Sequence, residues 1–96
     1  MDSKYEIFNI KGKKFVVKLD FNPITQEYDY HMYIRHLITP QQAIAAYFSK
    51  TIDEYNAQHD RYEAYSENFN IMLYYTFLKD KNILLITAFS QGGNHE

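Results

Sequence analysis

Cysteine is absent from this 96-residue chain, which excludes disulfides, thiolate-ligated metals and thiol nucleophiles. Tryptophan is absent as well, and glycine and proline are scarce, at three and two residues. With glycine only at positions 12, 92 and 93, no Gly-rich phosphate loop can be built. No G-x-S-x-G elbow offers a serine nucleophile either. No apolar run, Ile83 to Ile86 included, approaches the ~20 residues that span a bilayer. The opening MDSKYEIF lacks a basic stretch leading into an apolar one, so no leader is expected. The expectation is a cytoplasmic protein that does not engage a membrane.

What is present is aromatic and apolar. Hydrophobic residues make up 46 % of the chain, and ten Tyr with seven Phe bring the aromatics to 18 %. That composition fits one ordered domain, expected over residues 1–90, with a flexible tail over 91–96. Tyrosine joins apolar area to a polar tip and suits half-buried sheet faces and contact surfaces alike. The net charge of −2 gives no global drive toward nucleic acid, but its distribution is uneven. Residues 1–50 carry seven Lys or Arg against five Asp or Glu, and residues 51–96 carry three against seven. A polyanion should therefore meet the surface built by the first half.

Along the chain, Lys4–Ile10 and Lys14–Phe21 alternate with period two about Lys11-Gly12-Lys13, which predicts a hairpin. Asn22-Pro23 ends the second strand, since proline cannot donate to a ladder. Tyr28–Leu37 resumes the alternation and is expected to form a third strand, antiparallel to the second. Its Asp29 and three tyrosines weigh against a helix through His31–Arg35. Thr39-Pro40-Gln41-Gln42 is a helix start, with a threonine N-cap, proline at the first turn and Gln42 completing a capping box. Apolar spacing through Ile44, Tyr47, Phe48, Ile52 and Tyr55 predicts one main helix over Pro40–Asn56. Arg61–Ser66, Phe69–Leu78 and Ile83–Phe89 then read as strands, the last near-continuously apolar and so central. The expected order is β-β-β-α-β-β-β, an α+β fold of about six strands in a curled, barrel-like, mostly antiparallel sheet.

Chemistry concentrates between Tyr28 and Phe48. His31, Arg35 and His36 could supply an acid, a base and a phosphate clamp. On a strand, however, the two imidazoles would project from opposite faces. Solvated strand residues would show the same pattern. No metal is expected, because His31 and His36 are split, His59 and His95 lie in a loop and a tail, and the carboxylates are scattered. No cofactor is expected. His31, Tyr33 and Arg35 share one face of the third strand, and Lys14 and Lys18 share one face of the second. Rings interleaved with cations are what single-stranded nucleic acid requires, stacking on bases and holding phosphates. A tyrosine-rich outer face without a ligand is the plainer alternative. Arg61 belongs to this set if it lies beside the basic first half; otherwise it forms a plain surface pair with Glu63. The expected contact residues are Lys14, Lys18, His31, Tyr33, Arg35 and Arg61, with single-stranded RNA as partner and no catalytic residue.

Tyr33–Ala43 (YIRHLITPQQA) and Arg61–Ser66 (RYEAYS), with the strands around them, resemble the PrgU family of small proteins from Gram-positive conjugative plasmids. That resemblance implies a PUA-like β-barrel. It also implies a non-catalytic RNA-binding regulator that limits expression of plasmid-encoded surface adhesins. No residue role is carried over from it. Arg35–Ala43, extended to Phe48, is also similar to a segment of BrnT-type toxins in the RelE-like ribonuclease superfamily. This chain departs from that segment with Leu37 in place of glycine, and it lacks the basic charge of such toxins. An endoribonuclease is therefore the alternative function, and a small protein-interaction module is a third.

Overall fold

The computed structural model describes residues Lys4–Gln91. The expected tail therefore lies, apart from Gln91, outside the described residues. The elements in chain order are β1 (Lys4–Ile10), β2 (Lys13–Asn22), β3 (Glu27–Tyr30), α1 (His31–His36), α2 (Pro40–Phe48), β4 (Ile52–Asn56), β5 (Arg61–Ser66), β6 (Ile71–Phe77) and β7 (Ile83–Ser90). The fold is α+β. Seven strands form one sheet in the order β1-β2-β7-β6-β5-β4, with β3 added to β2. All pairings are antiparallel except β2 with β7. The sheet is open, because β1 and β4 at its ends do not pair; the expected barrel-like closure is corrected.

The β1–β2 turn follows from its residues. Lys11 and Gly12 both take positive φ, 53° and 78°, the geometry that matches a two-residue turn to the twist of its strands. β2 then serves three partners. β1 pairs with it from Lys13 to Leu19. Phe15–Val17 pair with β7, and Leu19–Asn22 pair with β3. Since β1 overlaps both registers, β7 and β3 must share the other edge of β2.

This shared edge overturns the long third strand expected over Tyr28–Leu37. Beyond Tyr30, which pairs with Leu19, a continuing strand would run into the stretch of β2 already bonded to β7. The chain turns instead into α1, which packs against β2 and β7 where they diverge. Met32, 1 % exposed, fills the fork and joins the main core. Leu37 closes the helix at φ 60°, its N–H donating to the Tyr33 carbonyl, a left-handed cap more often given to glycine.

The capping box at α2 forms as its residues require: Thr39 Oγ1 accepts from the Gln42 N–H, and Gln42 Oε1 accepts from the Thr39 N–H. The helix stops at Phe48, however, and the expected extension to Asn56 is corrected. Ser49 Oγ donates back to the Ala45 carbonyl at 2.8 Å, and the β-branched Thr51-Ile52 that follows enters β4. Ile52 to Asn56 pair with β5 from Tyr65 back to Arg61. Asn56 Oδ1 turns that hairpin by accepting the N–H groups of Gln58 and His59. The sixth strand starts at Ile71, two residues later than expected, because Asn70 takes positive φ in the turn.

α2 lies on β5 and β6 and closes the core. Ala43, Ile44, Ala46 and Tyr47 face Phe15, Val17, Leu73, Tyr75 and Leu85, all of them buried. Tyr47 meets Phe15 and Tyr75 edge-on at 5.3 and 5.2 Å. Two polar groups inside this layer are satisfied. Ser66, fully buried, bonds Ser49 Oγ at 2.7 Å, and the Tyr75 hydroxyl donates to Asp53 at 2.6 Å. Among the described residues no helix is long and apolar enough to cross a membrane. Because Met32 is enclosed in the core cluster, Met32→Ala should lower unfolding free energy by about 2–5 kcal/mol in urea titrations. A loss under about 1 kcal/mol would mean that the fork is not packed.

Candidate nucleic-acid interface

The sheet has one closed face and one open one. Period-two alternation sets Lys14, Val16 and Lys18 opposite Phe15 and Val17; the two lysines are exposed, and Val16 between them is itself buried. The register Val16–Leu84–Thr76 carries that outer face across β7 to β6, where Tyr74 and Met72 lie on it. Glu63 pairs with Tyr74, so Arg61 and Tyr65 on β5 share the face as well. Helix α1 borders it along the diverging edges of β2 and β7.

A ladder of contacts crosses this face. The Arg61 guanidinium lies 4.0 Å from the centre of the Tyr74 ring. Tyr74 meets Phe89 edge-on at 5.4 Å, and Phe89 lies 5.6 Å from the His36 ring on α1. Arg61 thus does lie on the same side of the sheet as Lys14 and Lys18. It is also paired with Glu63, its Nε donating at 2.9 Å. The Glu63 carboxyl is held below its usual range, first by the Asn56 amide and then by Arg61.

No protein-family model matches this chain, nor does any curated protein or solved structure. The geometry of its own residues is what bears on function.

Three of the six expected contact residues, Lys14, Lys18 and Arg61, share the open face. His31 borders it from α1, its Nδ1 2.5 Å from Asp20 Oδ2, and Lys18 lies 3.7 Å from the same carboxylate. That hydrogen bond is the main reason the Asp20 carboxyl is held below its usual range. Arg35 is one helical turn from His31 and exposed. The expected strand face joining His31, Tyr33 and Arg35 does not exist. In α1, Tyr33 projects about 200° around the axis from His31, and it is half exposed with no place in the ladder. Among the described residues, Lys14 and Arg35 form no ion pair, whereas Lys18 and Arg61 do.

Tyr74, Phe89 and Asp20 are not among the residues the sequence singles out, and His36 is singled out there only as a possible acid or base, not as a contact residue. Tyr74 was legible, since it lies opposite Leu73 and Tyr75 in a strand whose buried face was plain. Phe89 was not, because a bulge between Tyr74 and Tyr75 shifts the β7 register by one residue and resets which side chains face out. His36 needed the helix. His36 is exposed, but partial desolvation lowers its pKa, and the nearby Arg35 and His31 charges lower it further.

The sign of this shift sets a pH dependence. The fold favours neutral His36, so as pH falls below about 6.5 the unfolded chain takes up the proton first and stability is lost. Asp20 acts lower, keeping its stabilisation until pH falls below the ordinary aspartate range. Because the ring is exposed and its interactions are screened by solvent, urea midpoints measured from pH 7.5 to 5.0 should decline only slightly, and His36→Asn should flatten that decline. Parallel profiles for the two proteins would show that His36 is not the group responsible.

Proposed function

We propose that the open sheet face binds single-stranded RNA without cleaving it. The observation that carries this is the Arg61–Tyr74–Phe89–His36 ladder, which lines up ring and guanidinium surfaces on the side of the sheet that α2 leaves uncovered and that Lys14 and Lys18 share. Unpaired bases stack on rings and on guanidinium planes, while free cations hold the phosphates. With Lys18 and Arg61 already paired, stacking supplies more of the affinity than charge, and Lys14 and Arg35 supply the unopposed cations. The narrower role, limiting expression of plasmid-encoded surface adhesins from a cytoplasmic location, rests on the resemblance to PrgU alone. Nothing in the open sheet supports the PUA-like assignment, and the proposal does not use it.

The test is fluorescence anisotropy with a labelled single-stranded RNA at several salt concentrations. Phe89→Ala should cost about 1–3 kcal/mol of affinity, and Arg35→Ala should weaken binding with the fold intact by circular dichroism. Lys14→Gln should reduce the salt slope by about 0.7. Absence of saturable binding at low salt would sink the proposal. It would favour the interaction-module reading, for which the half-exposed Tyr5 and Ile7 of edge strand β1 are the available surface.

One observation favours the ribonuclease alternative. Winding the segment into α1 sets the two imidazoles about 140° apart around the axis rather than on opposite faces of a strand, and Asp20 bonds His31 at 2.5 Å. In that reading neutral His36 takes the proton of a 2′-hydroxyl as its oxygen attacks phosphorus, and His31 returns a proton to the departing 5′-oxygen. Purified protein would then shorten a labelled RNA without added metal, and either His31→Ala or His36→Ala would abolish the activity. Cleavage that persists in both variants would exclude it.

A further inference from the structure

On the far side of the sheet from the ladder, the outer surface of α2 meets two turns. The β1–β2 turn and the β5–β6 turn converge there on a groove of about 430 Å³, within the size range of small-molecule sites. Its walls are Ile10, Ile44, Ala45, Phe48 and Phe69. Ala45 and Phe48 lie on one stripe of the helix, and the small Ala45 side chain is what leaves the space. Phe48 and Phe69 are 37 % and 49 % exposed, a large fraction for rings beside a complete core.

The polar lining is sparse and of one sign. Ser49 is occupied, donating to the Ala45 carbonyl and contacting Ser66. Gln41 is neutral. Lys11 supplies the charge, and among the described residues no Asp or Glu lines the groove. Its ammonium lies 4.9 Å from the Phe48 ring centre and, among the described residues, has no carboxylate partner. The positive φ of Lys11 and Gly12 holds this lysine at the tip of a tight turn directed at α2.

We propose that this groove binds an aliphatic monocarboxylate, a medium-chain fatty acid, with its chain against Phe48, Phe69 and Ala45 and its carboxylate on Lys11. The tail removes two half-exposed rings from water, and the head group gives Lys11 the anion it lacks. Neither zwitterions nor amines meet both requirements, since among the described residues the lining offers no carboxylate to a positive charge.

The experiment is a titration of the whole chain with decanoate below its micellar range, followed by calorimetry and by backbone amide shifts. Decanoate should bind saturably and move the Ala45 and Phe69 amides, whereas decylamine should not bind. Lys11→Glu should weaken decanoate by about tenfold or more, and Ala45→Phe should block it by filling the groove while leaving the circular dichroism spectrum unchanged. RNA affinity should be unaltered in Ala45→Phe, because the groove and the ladder lie on opposite sides of the sheet; the two proposals therefore fail separately. Equal binding of decanoate and decylamine, amide shifts elsewhere, or no saturable binding would each overturn the assignment.

Discussion

One edge of β2 is divided between two strands, and most of the molecule is arranged by that division. Its first part, Phe15–Val17, is bonded in parallel to β7, and its last part, Leu19–Asn22, is bonded antiparallel to β3. A parallel pair needs a crossover, and here every other element except β1 lies within it. The two partners diverge from the shared edge, and the gap between them would expose the ends of two ladders and the core behind. α1 fills it, with Met32 inward and His31 and His36 on either flank. The placement of both imidazoles is thus a consequence of strand competition.

The second consequence is the inequality of the two faces. α2 is short because Ser49 back-bonds to it and because β4 is needed at the end of the sheet. Nine residues cover only part of the inner face, so the tyrosines do the remaining work. Tyr75, fully enclosed, places its hydroxyl on Asp53, and that carboxylate lies 3.8 Å from Lys50, whose ammonium sits 3.8 Å from the Tyr47 ring centre. Burial, reinforced by the bond to Asp53, pushes the Tyr75 phenol well above its ordinary pKa, so it stays a donor throughout the physiological range. Hydroxyl tips let the rings reach from the core to water without leaving a polar atom unpaired.

The outer face has no such cover, and its electrostatics are more balanced than the charge of the first half suggests. Lys18 and His31 converge on Asp20, and Arg61 is held by Glu63. These half-buried pairs remain in contact with water and contribute modestly to stability, but they fix side chains in place and reduce the net field a phosphate would meet. Rings packed edge-on or tilted and a guanidinium 4.0 Å from the centre of one of them make a weakly charged platform. That combination suits stacking with unpaired bases better than capture of a duplex.

Local chemistry by itself determined a good part of this protein. The β1–β2 hairpin, the capping box at Thr39, the buried alternation of Ile71, Leu73 and Tyr75 and the central position of β7 each depend on neighbours within a few residues. So do the α+β class and the placing of Lys14 and Lys18 on one face. What the tertiary structure alone decided is where a segment with two possible periods settles. Tyr28–Leu37 alternates like a strand, and Pro40–Asn56 repeats like a helix, yet each changes partway along. In the first case the ladder it would join is already occupied by β7. In the second, Thr51 to Asn56 gain backbone partners on β5 that outweigh a helix with few further contacts. Occupancy of the β2 edge is set by β7, more than fifty positions beyond His31, and no window of local sequence contains it; the β4–β5 pairing is a local hairpin, but it prevails over the helix only because β6 holds β5 in the sheet.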